Sequence, residues 1–279
     1  MKLMTQNAVA RTLGVGRCVA LAATLSCAAG CTTLGPMPTV TGVAYAPEPR
    51  PNVELQAGVQ PGYFLSSAVT ENTKGAAIQQ ASGMFDPEDL IGVSGLGVGA
   101  RLIGGGDESP YVEPMVRYRA YVDRDDSIAL GGVLYGTKAS GSSKLASYSA
   151  TRFGGEYGMD FRLTPKSQWA EVHLINGLGL LRLDASGSYC EVREGYVVDC
   201  DTESGVGPNA ETDVHRFFPT VFSGVNIDVA RHIGGVFHGG RVGFSFAAGQ
   251  MPRVRNQTQH DAVGYVSGGL ALTLMLGGI

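Results

Sequence analysis

The sequence has few charged side chains and, after its first thirty residues, no long apolar run. Only 16 % of its 279 residues are charged, whereas roughly 25 % is usual for soluble proteins. No mature segment approaches the about 18 apolar residues of a spanning helix, which excludes a helical membrane protein. The net charge is −4 and the basic residues do not cluster, so we expect no nucleic-acid partner.

Glycine, in contrast, is abundant, with 41 residues, about twice the average frequency. This composition disfavours helices, because each glycine in a helix costs about 1 kcal/mol relative to alanine. A charge-poor, glycine-rich chain of this length predicts one large β domain.

The first thirty residues predict a secretion signal. A basic start is followed by an apolar stretch at 18–29 that is too short to span a membrane. The junction Ala28-Ala29-Gly30-Cys31 resembles the lipobox of bacterial lipoproteins. The resemblance implies that Cys31 is acylated as the first mature residue, and that Thr32 after it favours transfer to the outer membrane. Ordinary cleavage nearby, leaving a free Cys31, is the alternative.

Two cysteines remain beyond the signal and Cys31. Cys190 and Cys200 are expected to form a disulfide in an oxidising compartment, restricting the unfolded chain by about 3 kcal/mol. No second Cys or His pair lies at zinc spacing, so neither a metal nor another cofactor is expected. Residues 32–52 contain five prolines and are interpreted as an extended tether.

From residue 91 onward, apolar and polar residues alternate as in β-strands. In 152–163, for example, Phe153, Tyr157 and Met159 share one face, while Arg152, Glu156 and Asp160 share the other. The alternation recurs along the chain and predicts eight strands. They cover 91–104, 111–122, 127–139, 152–163, 168–180, 214–230, 235–250 and 262–277.

The polar face decides between a soluble and a membrane barrel. It mixes Arg, Glu and Asp with Gly rather than Lys, which indicates a packed, ion-paired lumen and an apolar exterior. Tight turns predicted at 123–126, 164–167 and 231–234 alternate with longer connections at 105–110, 140–147, 185–213 and 251–261. This alternation places the tight turns and the C-terminus on the periplasmic side.

The pattern resembles small bacterial outer-membrane β-barrels, the architecture of the OmpA and OmpX transmembrane domains. In the last strand, Ser267, Gly269, Leu272 and Leu274 match the signal that such proteins present to the barrel assembly machinery. The resemblance implies an all-β, antiparallel, up-and-down transmembrane barrel with outer-membrane lipid and that machinery as partners. The chain lacks the family's terminal aromatic residue and ends in Ile279.

The predicted domains are a signal peptide (1–30), a lipidated cysteine with tether (31–52), an N-terminal segment (53–90) and the barrel (91–279). Residues 53–60 alternate like another strand, but a ninth strand alone would break parity. Either Pro61-Gly62 splits a hairpin, which gives ten strands, or the segment plugs the barrel. We predict eight strands, with ten as the alternative.

The predicted lumen gathers a polar network, interpreted as a salt-bridged plug because an eight-stranded barrel is barely wide enough for its own side chains. Its members are Arg101, Glu113, Arg117, Arg119, Arg152, Glu156, Asp160, Arg162, Glu171, His173, Asp228 and Arg241.

The disulfide-bearing loop at 187–214 is the expected place for a surface ligand or protein. The sequence therefore favours a structural or surface-interaction role, with no catalytic residue assigned. A narrow pore, a lipid-acting hydrolase using Glu171 and His173, and a soluble lipocalin-like lipoprotein are the alternatives.

Overall fold

The computed structural model describes residues 53–64, 75–105, 108–142, 146–167, 169–189, 192–193, 196–197, 210–229, 236–256 and 259–277. The predicted signal peptide, lipidated Cys31, tether and Cys190–Cys200 pair lie outside these residues. No helix within the described ranges is long and apolar enough to cross a membrane.

Ten long strands, one short helix and one two-residue ladder make up the described chain. The strands are β1 (Val53–Phe64), β2 (Gly75–Phe85), β3 (Leu96–Gly105), β4 (Glu108–Tyr121), β5 (Ile128–Ser142), β6 (Ala146–Arg162), β7 (Ala170–Tyr189), β10 (Ala210–Val229), β11 (Phe237–Asn256) and β12 (Gln259–Leu276). The helix α1 spans Glu88–Ile91, and β8 (Val192–Arg193) pairs with β9 (Tyr196–Val197).

The ten long strands form a closed antiparallel barrel in the order β1-β12-β11-β10-β7-β6-β5-β4-β3-β2. The prediction of eight strands is therefore wrong, and ten is the observed number. The barrel begins at Val53 rather than at residue 91, because 53–64 and 75–85 are strands of its wall. Pro61 does not split a hairpin: it lies inside β1, where it pairs with Ala77.

Both ends of the barrel wall, Val53 and Leu276, lie at the same end of the barrel and pair with each other. That end also has the connections 86–95, 122–127, 163–169 and 230–236, the last three of which contain the predicted tight turns. At the opposite end, the longer connections predicted at 105–110, 140–147 and 251–261 are wrong. Those residues belong mostly to strands, which leave only 106–107, 143–145 and 257–258 as links, so the predicted alternation of tight turns with longer connections fails at these three places.

The predicted loop at 187–214 is likewise shorter than expected. β7 continues to Tyr189 and β10 starts at Ala210, and these two residues pair. The connection is therefore 190–209. Strands β7, β10 and β11 have 20 residues each. A strand of that length, tilted by about 40°, rises about 50 Å, roughly twice the height of a barrel's apolar band.

The exterior of the barrel is apolar and its interior is largely polar, the reverse of a water-soluble barrel. Outward side chains such as Leu134, Phe153, Leu178 and Leu272 are more than half exposed. A lipocalin-like barrel would turn these residues inward, so the soluble alternative is wrong. Trp169, with 77 % of its surface exposed, lies at the end with the tight turns, where an aromatic residue suits the membrane interface.

The turn between β4 and β5 lies outside the membrane and holds a carboxylate whose titration can be predicted. The Ser127 hydroxyl donates to the Asp123 carboxylate at 2.5 Å, and the amide of Ile128 donates at 2.7 Å. These bonds, with that of Ser127 Oγ the strongest, lower the pKa of Asp123 to about 2. The stability that these bonds give the turn is fully present above the ordinary pKa of Asp and is lost as pH falls through about 2.

We expect the Asp123 carboxyl to titrate near pH 2 by NMR in micelles. Ser127→Ala removes the strongest donor and should raise the midpoint. A midpoint unchanged by Ser127→Ala would show that the hydroxyl does not stabilise the ionised carboxylate.

Candidate functional site

The barrel lumen contains most of the predicted polar network. Eleven of the twelve predicted residues are at most 5 % exposed and line the interior: Arg101, Glu113, Arg117, Arg119, Arg152, Glu156, Asp160, Glu171, His173, Asp228 and Arg241. Arg162 is different. It is half-buried at the end of β6, and its Nη2 donates to the backbone oxygen of Asp125 in a turn at 2.8 Å.

Glu113 joins two arginines at the middle of the lumen. Arg101 Nε donates to Glu113 Oε2, and Arg152 Nε lies 3.0 Å from Glu113 Oε1. Arg152 also donates to the hydroxyl of Tyr111. The Arg101 guanidinium lies 4.6 Å from the ring centroid of Tyr135. One carboxylate therefore serves two buried guanidinium groups, and aromatic rings cover them.

Strand register explains this cluster. Arg101 on β3 pairs with Glu113 on β4, and Tyr135 on β5 pairs with Gly154 on β6. A Cβ at Gly154 would lie 2.6 Å from the Tyr135 hydroxyl oxygen. Glycine at position 154 therefore leaves the space in which the Tyr135 ring crosses the lumen and stacks on Arg101.

Glu156 differs from the other lumenal carboxylates. It is buried, and neither of its carboxylate oxygens has a hydrogen-bond partner among the described residues. Glu156 pairs with Gly179 on β7, and Gly179 pairs with Thr220 on β10. The Thr220 hydroxyl lies 2.9 Å from that of Tyr265. Glu156 thus lies in the lumen without a hydrogen bond to the Glu113 cluster.

Glu54 forms a second cluster near the end with the tight turns. Its carboxylate accepts two bonds from Arg117, at 2.7 and 2.9 Å, and lies 2.7 Å from Arg119 Nη2. Asp86 lies 4.0 Å from the same Arg119 atom, and burial raises its pKa. Glu54 is not among the predicted site residues, although it occupies the polar face of the alternation at 53–60.

A third cluster surrounds His173. Its Nδ1 lies 2.8 Å from Asp160 Oδ1, and its Nε2 lies 3.5 Å from Glu171 Oε2. Arg241 makes a two-point contact with Asp228, at 2.5 and 2.8 Å. Both ring nitrogens of His173 thus face carboxylates, and within the described ranges no hydroxyl is hydrogen-bonded to it. This is the geometry of an ion-paired histidine rather than of a base that activates a serine.

The wall of the outer lumen along β7 and β10 is apolar, which was not predicted from the sequence. Leu181 and Leu183 on β7, with Val214 and Phe218 on β10, belong to a buried cluster. The continuous run Leu180-Leu181-Arg182-Leu183 was the available indication, since it places apolar residues on both faces of β7. The lumen is therefore filled by ion pairs and, along β7 and β10, by hydrocarbon side chains.

A charged patch lies outside the barrel where β7 and β10 rise above the apolar belt. Arg182 donates to Asp184 at 3.1 and 3.3 Å, and His215 Nδ1 lies 3.1 Å from Asp184. The Arg182 guanidinium is 5.5 Å from the Phe217 ring centroid. In the part of the chain that the structure covers, no group of three His, Cys, Asp or Glu residues has the arrangement of a metal site.

No protein-family profile and no curated protein sequence matches this chain. Among solved structures, the chain is similar to Neisserial surface protein A, with 9 % identity, a TM-score of 0.35 and coverage of 80 % of this chain and 97 % of that one. It is also similar to Ail, the attachment invasion locus protein of Yersinia pestis, with 10 % identity, a TM-score of 0.31 and coverage of 80 % and 96 %. A third is the outer membrane protease OmpT of Escherichia coli, with 9 % identity, a TM-score of 0.27 and coverage of 84 % and 97 %. Similarity at this level indicates neither an activity nor a ligand.

Proposed function

We propose that this protein is a lipid-anchored barrel of the bacterial outer membrane with a structural or surface-interaction role, and not a conduit. The filled lumen is the observation that supports this proposal. Eleven lumenal charged or titratable side chains are at most 5 % exposed, and the outer lumen holds a buried apolar cluster. A solute would have to displace paired guanidinium and carboxylate groups to pass.

The part of the barrel beyond the membrane supplies the surface for an interaction. Strands β7 and β10 rise above the apolar belt and carry the patch of Arg182, Asp184 and His215. The connection 190–209 starts from the ends of these two strands. A rigid wall that presents a loop in this way is a common arrangement for recognition, because the scaffold fixes the loop's position. A disulfide between Cys190 and Cys200 would further restrict it.

Two measurements test the proposal. Purified protein in planar bilayers should give no stepwise current, since the lumen is filled; regular steps would support the narrow pore instead.

In cells, 190–209 would be replaced by a Gly-Ser linker of equal length. Lost attachment to surfaces with unchanged detergent resistance would indicate a surface-interaction role. Unchanged attachment with increased detergent sensitivity would indicate a structural role, and no change in either would contradict both.

Lipidation is a separate part of the proposal. Val53 lies at the end of the barrel with the tight turns. The 32–52 segment, extended at about 3 Å per residue, would reach a lipid headgroup tens of ångströms from that end. Cells grown with labelled palmitate should incorporate label into the native chain, and Cys31→Ser should abolish it. Cys190→Ser serves as the matched control and should retain label. Label that persists in Cys31→Ser would contradict acylation at this residue.

A further inference from the structure

The lipid-facing surface of β7 and β10 carries a polar pair in the middle of its apolar belt. Asn176 is exposed on the outside of β7, and Ser223 on β10 is its register partner. The Ser223 hydroxyl donates to Asn176 Oδ1 at 2.9 Å. Neither residue belongs to the lumenal clusters, so a lumenal role does not explain them.

The surroundings place this pair deep in the bilayer. Outward positions of β7 run from Ala170 to Leu180 before the first charged one, Arg182. That span corresponds to about 25 Å of barrel height, the height of an apolar band. Asn176 is the fourth of its six outward positions. Its register neighbour on β6 is Met159, and that of Ser223 on β11 is Phe246, both lipid-facing.

The Asn176 amide has hydrogen-bonding capacity that the barrel does not use. Its carbonyl oxygen accepts from Ser223, but no described residue accepts a bond from its two N–H groups. Leaving a polar group without a partner in hydrocarbon costs about 1–3 kcal/mol. Lipid ester and headgroup acceptors lie at the membrane surface and not at this depth, so a partner must come from another protein surface within the bilayer.

We propose that this face of β7 and β10 binds a second copy of the chain through a two-fold axis at Asn176. An amide carries a donor and an acceptor, so two Asn176 side chains related by a two-fold axis complete each other: each Nδ2 donates to the partner's Oδ1. Leu178 and Val221, which pair with each other at the next outward position along the two strands, are more than half exposed and pack the contact. This self-complementarity favours a second copy, because another partner would need its own polar pair at the same depth.

Cysteine crosslinking in outer-membrane fractions tests this contact. Leu178→Cys places a thiol beside Asn176 at a position that is 62 % exposed. Copper phenanthroline should convert this variant to a covalent dimer, above the background of the native chain with its own cysteines. Leu102→Cys is the matched control, because it is lipid-facing, 50 % exposed and lies on β3 in the opposite wall. It should give only the background level.

Asn176→Val, combined with Leu178→Cys, should reduce the yield of covalent dimer about tenfold, because the two hydrogen bonds between the copies within the membrane are lost. This variant replaces a polar lipid-facing group by an apolar one, and the heat-dependent gel shift of the folded barrel should remain. Asn176→Ala provides a second variant with the same expectation. Equal crosslinking of the two cysteine variants, or a dimer that survives both Asn176 substitutions, would overturn the proposal. Absence of the gel shift in the native chain would instead contradict membrane embedding, on which the proposal rests.

Discussion

Glu113→Gln is expected to lower the free energy of unfolding by about 3–5 kcal/mol, the range for breaking a buried ion pair by removing one partner. Glu113 is the shared counter-ion of Arg101 and Arg152, and all three side chains are at most 2 % exposed. Glutamine keeps the volume but removes the charge. Two guanidinium groups in a closed lumen would then lose the charge of this shared carboxylate. Urea titration of the barrel in lipid vesicles, followed by the heat-dependent gel shift, measures the loss.

Glu156→Gln is the matched control for this prediction. It makes the same chemical change in the same lumen, but no described residue is hydrogen-bonded to the Glu156 carboxylate. We expect a change of about 1 kcal/mol or less, because no contact is broken. Equal losses for the two variants would mean that the total lumen charge, and not the Glu113 contacts, determines stability.

A double substitution separates the loss of a partner from the loss of the carboxylate itself. Glu113→Gln with Arg101→Met removes one of the two arginines and fills its space with an apolar chain. If Glu113→Gln destabilises the barrel by leaving the Arg101 guanidinium without its counter-ion, the double variant should be more stable than the sum of the single losses predicts, by about 1–3 kcal/mol. Additive losses would contradict direct coupling between Glu113 and Arg101.

The sequence was sufficient to predict the direction of side chains but not their partners. Alternation correctly separated Phe153 from Arg152 and Val116 from Arg117, because a strand turns successive residues to opposite faces. Which charged side chains form ion pairs depends on the strand register and on how the barrel closes around the lumen. Glu54 and Arg117 are 63 positions apart and lie on strands separated by two others. No local pattern contains that information.

Strand β2, which the sequence does not predict as a strand, shows where alternation itself fails. On β2, the buried residues include Ile78 and Met84, while Gln79 and Ala81 face outward. Gln80 is also buried and Phe85 is exposed, so both faces of β2 are mixed and the strand has no periodic contrast. Alternation also cannot mark where a strand leaves the membrane. Above the apolar belt, both faces of the long strands carry a mixture of polar and apolar residues, and the sequence therefore predicts loops there.

Phe218→Ala is expected to destabilise the barrel by about 3–5 kcal/mol, the usual cost of removing a buried aromatic side chain. Phe218 is 1 % exposed, pairs in register with Leu181 and belongs to the apolar cluster of the outer lumen. Deleting its ring leaves a cavity that the closed wall cannot collapse to fill. The urea titration used for Glu113 applies here as well.

Its chain neighbour Phe217 is the natural comparison, because it has the same side chain on the opposite face and is 58 % exposed. Phe217→Ala loses contact with the Arg182 guanidinium but opens no cavity, so we expect a loss of about 1 kcal/mol. In a barrel held together only by its outer surface, Phe217 would matter more than Phe218. The predicted order, with Phe218 far more costly, therefore tests whether packing of the outer lumen, together with the ion pairs below it, stabilises this barrel.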